Sequence, residues 1–392
     1  MLCSWVQDGA MEWDCANGAP ILWLSRVIVT SRFCNIIIPK HSLKLEQTKF
    51  DMLKLSDFDY DLPKDLIAQY PLRERDMARL LVINRKEKTI EHRAFKDLVN
   101  YFSKDDLLAL NDTKVLHCRL EGRRKTGGKV QALLLKQKEG LTFKALIKPS
   151  RIKFGERIIF NGGTIYAEMT ARDELTFYAP DIDAVYRQAQ IPLPPYIKRA
   201  PQDLDNVYYQ TVFAQREGSI AAPTAGLHFT PGFITEIESS GINIAYITLH
   251  INYPTFKPVK TEDITSHKMD KEYFCIDEQA QDLLKKTVAH KGRIFAVGTT
   301  SVRALETYIL TGLKESDTDL FIYPGYKFKI IDCLLTNFHL PRTTLFMLVC
   351  AFCAAGASAS GGAGIELVKK AYQEAIDKKY RFYSYGDAML II

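Results

Sequence analysis

Apolar and polar positions change rhythm along this chain. In 52–113 the apolar runs are short: Leu80–Asn84 (LLVIN) and Leu107–Leu110 (LLAL) have strand length, and Asn111-Asp112-Thr113 marks a turn after them. From 116 to 180 six apolar runs recur: LHCRLEGR, KVQALLLK, LTFKALIK, ERIIF, TIYAEMTAR and ELTFYAP. Their separators include Gly127-Gly128, Lys138-Glu139-Gly140, Gly162-Gly163 and Arg172-Asp173. Short strands at ~8–12-residue spacing predict a small antiparallel barrel or sandwich. Closing such a sheet removes its unpaired edges.

The proline-rich IPLPPYIKRAP (191–201) interrupts this pattern, and proline cannot donate to a sheet ladder, so it reads as an extended connector. Strand and helix patterns then alternate. Thr230-Pro231 predicts a capped helix start and Gly241 its end. Ile242–Ile251 and Arg293–Val297 read as strands, Gly298-Thr299-Thr300-Ser301 as a tight loop, and Val302–Leu313 as a helix. Ile365, Val368, Tyr372, Ile376 and Tyr380 fall at helical spacing. The run AAGASASGGAG (354–364) is low in complexity and reads as a loop. The expected fold is an α/β main domain, 52–113 and 205–392, carrying an inserted six-stranded antiparallel β-barrel domain, 114–204. Residues 1–51 hold all three tryptophans (Trp5, Trp13, Trp23), lack a clear period, and are set apart as a disordered or non-native leader, with Met52 as a natural start.

Composition narrows the class. The 392 residues are 47% hydrophobic and 25% charged, which suits a globular chain of two or three domains. Lys+Arg exceed Asp+Glu by 52 − 46 = 6, a mild excess that permits a polyanionic partner without demanding one. The eight cysteines are too sparse for a disulfide scaffold, and Cys350/Cys353 is a lone CxxC in an apolar run; a reducing cytoplasm is expected. The apolar stretch 19–38 is broken by Arg26, Arg32 and Asn35, which argues against a membrane span.

Four segments of the α/β part carry candidate chemistry. In GSIAAPTAGLHFT (218–230) small residues let a ligand approach the backbone, and His228 can carry a proton. The same stretch also fits a packed turn. AVGTTSVRALE (296–306) aims backbone N–H groups and hydroxyls at one point, suiting a carboxylate or phosphate, or simply caps its helix. It has neither P-loop nor GxGxxG spacing. LLTNFHLPRTTLFMLV (334–349) gathers Asn337, His339 and Arg342 before an apolar helix. YRFYSYGDAMLI (380–391) places aromatics around Gly386-Asp387, either a site or a C-terminal strand and turn. On the predicted barrel Arg119, Arg123, Arg124, Lys125 and Lys129 flank Gly127-Gly128, and Lys148, Arg151, Lys153 and Arg157 follow. These cations suit phosphate contact, or form a solvated face.

GSIAAPTAGLHFT, VGTTSVRALE, TNFHLPRTTLFMLV and YRFYSYGDAML together resemble the S-adenosylmethionine:tRNA ribosyltransferase-isomerase family of queuosine biosynthesis. DFDYDLPKDLIAQYP (57–71), LNDTKV (110–115) and GGKV (127–130) agree with it, so the resemblance runs from about Met52 to Ile392. The chain departs from the family's pattern at His117-Cys118, at 251–256, at Asp270 and in an enlarged loop at 354–364.

The resemblance implies a transferase that consumes S-adenosylmethionine as ribosyl donor, with no cofactor and no metal. The implied acceptor is 7-aminomethyl-7-deazaguanine at the tRNA wobble position; epoxyqueuosine-tRNA, adenine and methionine are the products. That chemistry needs proton transfer, for which His228, His250 and His339 are candidates, His228 foremost. Thr299, Thr300 and Ser301 are expected to hold the methionine carboxylate, supported by Arg303. Ser219, Thr224, Asn337 and Arg342 join the substrate-binding set. Asp387 is expected at the ribose hydroxyls or the sulfonium, with Tyr385 or Phe338 adding cation–π attraction. Arg119, Arg123, Arg124, Lys125 and Lys129 are the expected RNA contacts. A cytoplasmic monomer without membrane contact follows. The rivals are a non-catalytic RNA-binding protein and an ordinary methyltransferase, the latter disfavoured by the missing glycine-rich loop.

Overall fold

The computed structural model describes residues 53–160, 163–252, 259–355 and 361–392, all within one unit spanning Gln47–Ile392. The expected leader 1–51, Gly162, residues 253–256 of the departure at 251–256, and 356–360 of the Ala/Gly/Ser run lie outside the described residues.

Two antiparallel strands open the body, β1 (Arg79–Asn84) and β2 (Thr89–Ala94), followed by β3 (Leu107–Asn111) and β4 (Thr113–Val115). Six strands follow: β5 (Arg119–Arg124), β6 (Lys129–Gln137), β7 (Thr142–Lys148), β8 (Arg157–Phe160), β9 (Ile165–Ala171) and β10 (Glu174–Tyr178). They close into an antiparallel barrel in the order β10-β7-β6-β5-β8-β9. Alternate residues point inward, as in β6, where Val130, Ala132 and Leu134 are buried. Short helices α1 (Ile182–Tyr186) and α2 (Asp203–Tyr208) flank the proline-rich connector. β11 (Arg216–Ser219) then pairs parallel with β4, so the two ends of the barrel insertion are tied side by side.

The remaining elements are α3 (Pro231–Ser239), β12 (Asn243–Leu249), β13 (Glu272–Cys275), α4 (Glu278–Ala289), β14 (Ile294–Val297), α5 (Thr299–Thr311), β15 (Glu315–Thr318), β16 (Cys333–Asn337), α6 (Thr344–Ala354), α7 (Gly361–Asp377) and β17 (Ala388–Ile391). Nine strands form one sheet in the order β15-β13-β12-β3-β14-β16-β17-β1-β2. Its centre, β12-β3-β14-β16, is parallel. Every residue of β3, β14 and β16 is buried, because both faces of the sheet are covered. Leu107 and Ala109 pack with α4 to α7; Leu108 and Leu110 pack with Phe229, Phe233 and Ile237 around α3. The parallel strands end together at Asn111, Leu249, Val297 and Asn337, and in open α/β sheets the crevice beyond such carboxyl ends takes the ligand.

Two local expectations are corrected. Thr299–Ser301 are not a loop but the first turn of α5, with Gly298 at φ 86° as N-cap. Ser301 is held there by donating to the Val297 carbonyl at 2.7 Å. Residues 361–364 belong to α7 rather than to a loop; a Cβ on Gly364 would meet the Cys350 carbonyl oxygen at 2.5 Å, so a small residue lets α6 and α7 close on each other. Among the described residues no helix is long and apolar enough to cross a membrane.

Candidate active site

A cavity of about 70 Å³ lies beyond the carboxyl ends of the parallel strands. Its floor is the segment after β11. Ser219 fixes that segment: its hydroxyl donates to the Ala221 carbonyl at 2.7 Å and accepts the Ile251 N–H at 2.9 Å. Ala221, Ala222, Pro223, Thr224 and Ala225 then line the cavity, and the chain turns through a 3-10 helix, Thr224–His228. The small side chains leave the space open where larger ones would fill it.

Thr299 and Thr300 form a second wall at the amino end of α5. The first-turn N–H groups of a helix have no intrahelical acceptors and carry its positive dipole end, a setting for an anion. Thr300 is positioned from below by the Asn111 amide, which donates to its Oγ1 at 3.2 Å and also to the Leu249 carbonyl at 3.0 Å. Asn111 thus ties the ends of β3 and β12 to α5.

The third wall follows β16: Thr336, Asn337, Phe338 and His339 all line the cavity. The Thr224 hydroxyl donates to Asn337 Oδ1 at 2.7 Å, and Asn337 Nδ2 donates to His228 Nε2 at 3.2 Å. His228 stands behind Asn337, buried against Phe95 at a ring distance of 5.0 Å. Burial lowers its pKa to about 4 despite the opposing pull of Asp387, so the ring is neutral at neutral pH, and the amide donor opposite makes Nε2 the acceptor. His339 Nε2 hydrogen-bonds Thr336 Oγ1 at 2.8 Å, and burial lowers its pKa to about 3. Tyr60 donates to the His339 carbonyl, and Tyr372 accepts its N–H at 3.0 Å.

The other expected site residues stand elsewhere. His250 is hydrogen-bonded to Thr113 at 2.7 Å, stacked on Tyr273 and fitted over Gly218, where a Cβ would lie 2.6 Å from Nε2. Ser219 and Ser301 spend their hydroxyls on backbone carbonyls. Arg303 forms a buried ion pair with Glu272 and donates to the Leu320 carbonyl at 3.0 Å. Arg342 pairs with Asp59 at the surface. Tyr385 donates to Asp205 at 2.7 Å. Asp387 accepts from the Arg79 and Arg381 backbone at 3.0 and 2.8 Å and from the Arg79 guanidinium at 3.1 Å, locking the chain before β17. On the barrel Arg124 is clamped by Glu156, Arg123 donates to the Gly127 carbonyl at 3.2 Å, and Lys125 and Lys129 are exposed.

Sequence reasoning missed Tyr196, Tyr383 and Ser384, which also line the cavity. Tyr196 and Tyr383 stack at 4.5 Å, and Tyr196 and Ser384 share a hydrogen bond of 2.6 Å. The aromatic cluster at 380–385 was the available signal for Tyr383; Tyr196 was hidden in a connector.

A family model described as "Queuosine biosynthesis protein" matches residues 55–391. The S-adenosylmethionine:tRNA ribosyltransferase-isomerase of Sulfurihydrogenibium sp. (strain YO3AOP1) is 50% identical over 347 residues, covering 87% of this chain and 100% of the relative. The protein of the same name from Desulforamulus reducens is 43% identical with the same coverage of both chains. A crystal structure of S-adenosylmethionine tRNA ribosyltransferase from Thermotoga maritima is 34% identical, covers 86% of this chain and 100% of its own, and has a TM-score of 0.49.

Proposed function

Since this chain belongs to the queuosine biosynthesis protein family, we propose that it transfers and isomerises the ribosyl moiety of S-adenosylmethionine onto 7-aminomethyl-7-deazaguanine at the tRNA wobble position. Epoxyqueuosine-tRNA, adenine and methionine are the products, and the cytoplasm is where the enzyme works. The carrying observation is that three separate family-like motifs put Thr224, Thr299, Thr300, Asn337 and His339 around one cavity.

The walls suit the parts of the donor. The methionine carboxylate sits at the amino end of α5 beside Thr299 and Thr300. The sulfonium lies against the aromatic wall of Phe338, Tyr196 and Tyr383, where ring faces attract a cation. A sulfonium acidifies the neighbouring ribose 5′ carbon, so an unprotonated group is needed there to take the proton. His339 lines the cavity, is unprotonated at neutral pH with its pKa lowered to about 3, and is the group assigned that proton. His228 acts one residue further back, holding Asn337 and through it Thr224. Adenine leaves with a proton, and the acceptor amine attacks in its neutral form.

Incubation with S-adenosylmethionine and tRNA carrying the aminomethyl-deazaguanine tests this. Release of adenine and methionine in step with tRNA modification is expected. S-adenosylhomocysteine as product would instead identify a methyltransferase, and tRNA binding without turnover would identify the non-catalytic binder.

A further inference from the structure

A second and larger recess, about 440 Å³, lies between the barrel and the proline-rich connector. It is lined from the barrel by Arg119, Leu133, Leu146 and Lys148, and from the connector by Pro194, Pro195, Ile197 and Lys198. Lys148 and Lys198 are exposed and Arg119 half-exposed, whereas Ile197 is buried and Leu133 and Leu146 half-buried. Charge therefore stands at the mouth and apolar surface at the base. Glu121 is the opposing carboxylate in the recess, 3.9 Å from Arg119. Among the described residues neither lysine forms an ion pair; Lys198 Nζ donates to the Pro195 carbonyl at 3.1 Å.

The recess shares walls with the donor cavity. Tyr196 faces the cavity and its neighbours Pro195 and Ile197 face the recess; Ala221 and Ala222 face the cavity and Ile220 the recess. Residues 195–197 and 220–222 therefore contribute to both, and the second stretch is Ile-Ala-Ala. An apolar base with a cationic mouth fits a flat heteroaromatic ring attached to a phosphodiester.

We propose that this recess receives an unpaired nucleotide from the RNA loop, its base against the connector and its phosphates at Lys148, Lys198 and Arg119. The inference rests on the tRNA substrate assigned above and locates where that substrate docks. The stretch 220–222 then borders both acceptor and donor.

The test is equilibrium binding without turnover. The probe is a synthetic anticodon stem-loop RNA hairpin, with a fully paired duplex of equal length for comparison. The double variant Lys148→Glu/Lys198→Glu is expected to weaken hairpin binding at least tenfold and to lower the salt slope by about 1–2, since each lost phosphate contact removes roughly 0.7–0.9. Lys148→Gln/Lys198→Gln should show a smaller loss in the same direction. S-adenosylmethionine affinity should not change, and Lys285→Glu, an exposed lysine on α4, should stay within twofold of the unaltered protein. Hairpin affinity in the double variants no lower than in Lys285→Glu overturns the proposal, as does a duplex that binds as tightly as the hairpin. The unaltered protein binding the hairpin through these lysines yet performing no ribosyl transfer counts against the enzymatic reading alone. A protein that turns over while the double variant binds normally counts against the recess alone.

Discussion

Asn337 Nδ2 donates to Nε2 of His228 at 3.2 Å, so the amide at the cavity wall is held in place by an imidazole outside it. Asn337→Ala strands the buried His228 Nε2 at a cost of about 1–3 kcal/mol and releases the half-buried Thr224 hydroxyl. Turnover should fall on the order of 100-fold, the usual loss when a positioned polar group is removed. Asn337→Asp acts differently. A carboxylate against Nε2 favours the imidazolium, so the His228 pKa should climb from about 4 towards neutrality. Imidazole nitrogen shifts followed by NMR during a pH titration check this; an unmoved His228 titration would contradict the contact.

Two buried neutral histidines make stability depend on pH. The unfolded chain takes up a proton near 6.5, whereas native His228 does so only near 4 and native His339 near 3. Between those values the unfolded state binds more protons, so stability rises with pH and is lost on acidification. Each histidine contributes about 1.4 kcal/mol per pH unit, or about 2 kcal/mol between pH 6.5 and pH 5. Urea unfolding at pH 7 and pH 5 measures the total; His228→Gln should remove its share of the difference.

Arg303 is buried and paired with Glu272, which also accepts the Asn252 N–H at 2.8 Å. Arg303→Met removes the guanidinium from a buried carboxylate and should cost about 3–5 kcal/mol. The double variant Arg303→Met/Glu272→Met should recover most of that loss. A role in holding the donor carboxylate predicts the opposite pattern: a raised KM for S-adenosylmethionine with an unchanged melting temperature.

The Tyr383 hydroxyl is buried without a hydrogen-bond partner among the described residues, and burial raises its pKa so that it stays neutral. The residue also sits at φ 71°, unusual for a bulky side chain. Removing an unsatisfied hydroxyl relieves a desolvation penalty, so Tyr383→Phe should be neutral or stabilising by about 1 kcal/mol. Calorimetry decides; a drop of several degrees in melting temperature would show that the hydroxyl supports the fold.

The barrel was legible because its alternation is local: each strand writes inward and outward positions into a few consecutive residues, as Val130, Ala132 and Leu134 do. The central strands were legible as short unbroken apolar runs, and Thr230 caps α3 through the Phe233 N–H at 3.1 Å as its Thr-Pro signal implied. The start of α5 was not, because Thr299, Thr300 and Ser301 read as polar loop residues and only tertiary contacts bury them. The partners of Arg303 and Asp387 were equally hidden. Glu272 lies 31 residues from Arg303, and Arg79 lies 308 residues from Asp387. Residue type identified these as charged groups near the motifs but not which partners they meet. Tyr196 was invisible for another reason: a proline-rich connector has no period from which to read which side chain faces inward.

The account stands on the donor lying in the cavity where the three motifs meet. A crystal structure of the protein soaked with S-adenosylmethionine tests this most directly. The predicted result places the methionine carboxylate at Thr299 and Thr300 on the amino end of α5, the sulfonium beside Phe338 and Tyr383, and the ribose within reach of His339. Donor bound instead in the recess at Lys148 and Lys198, or away from both, would contradict it.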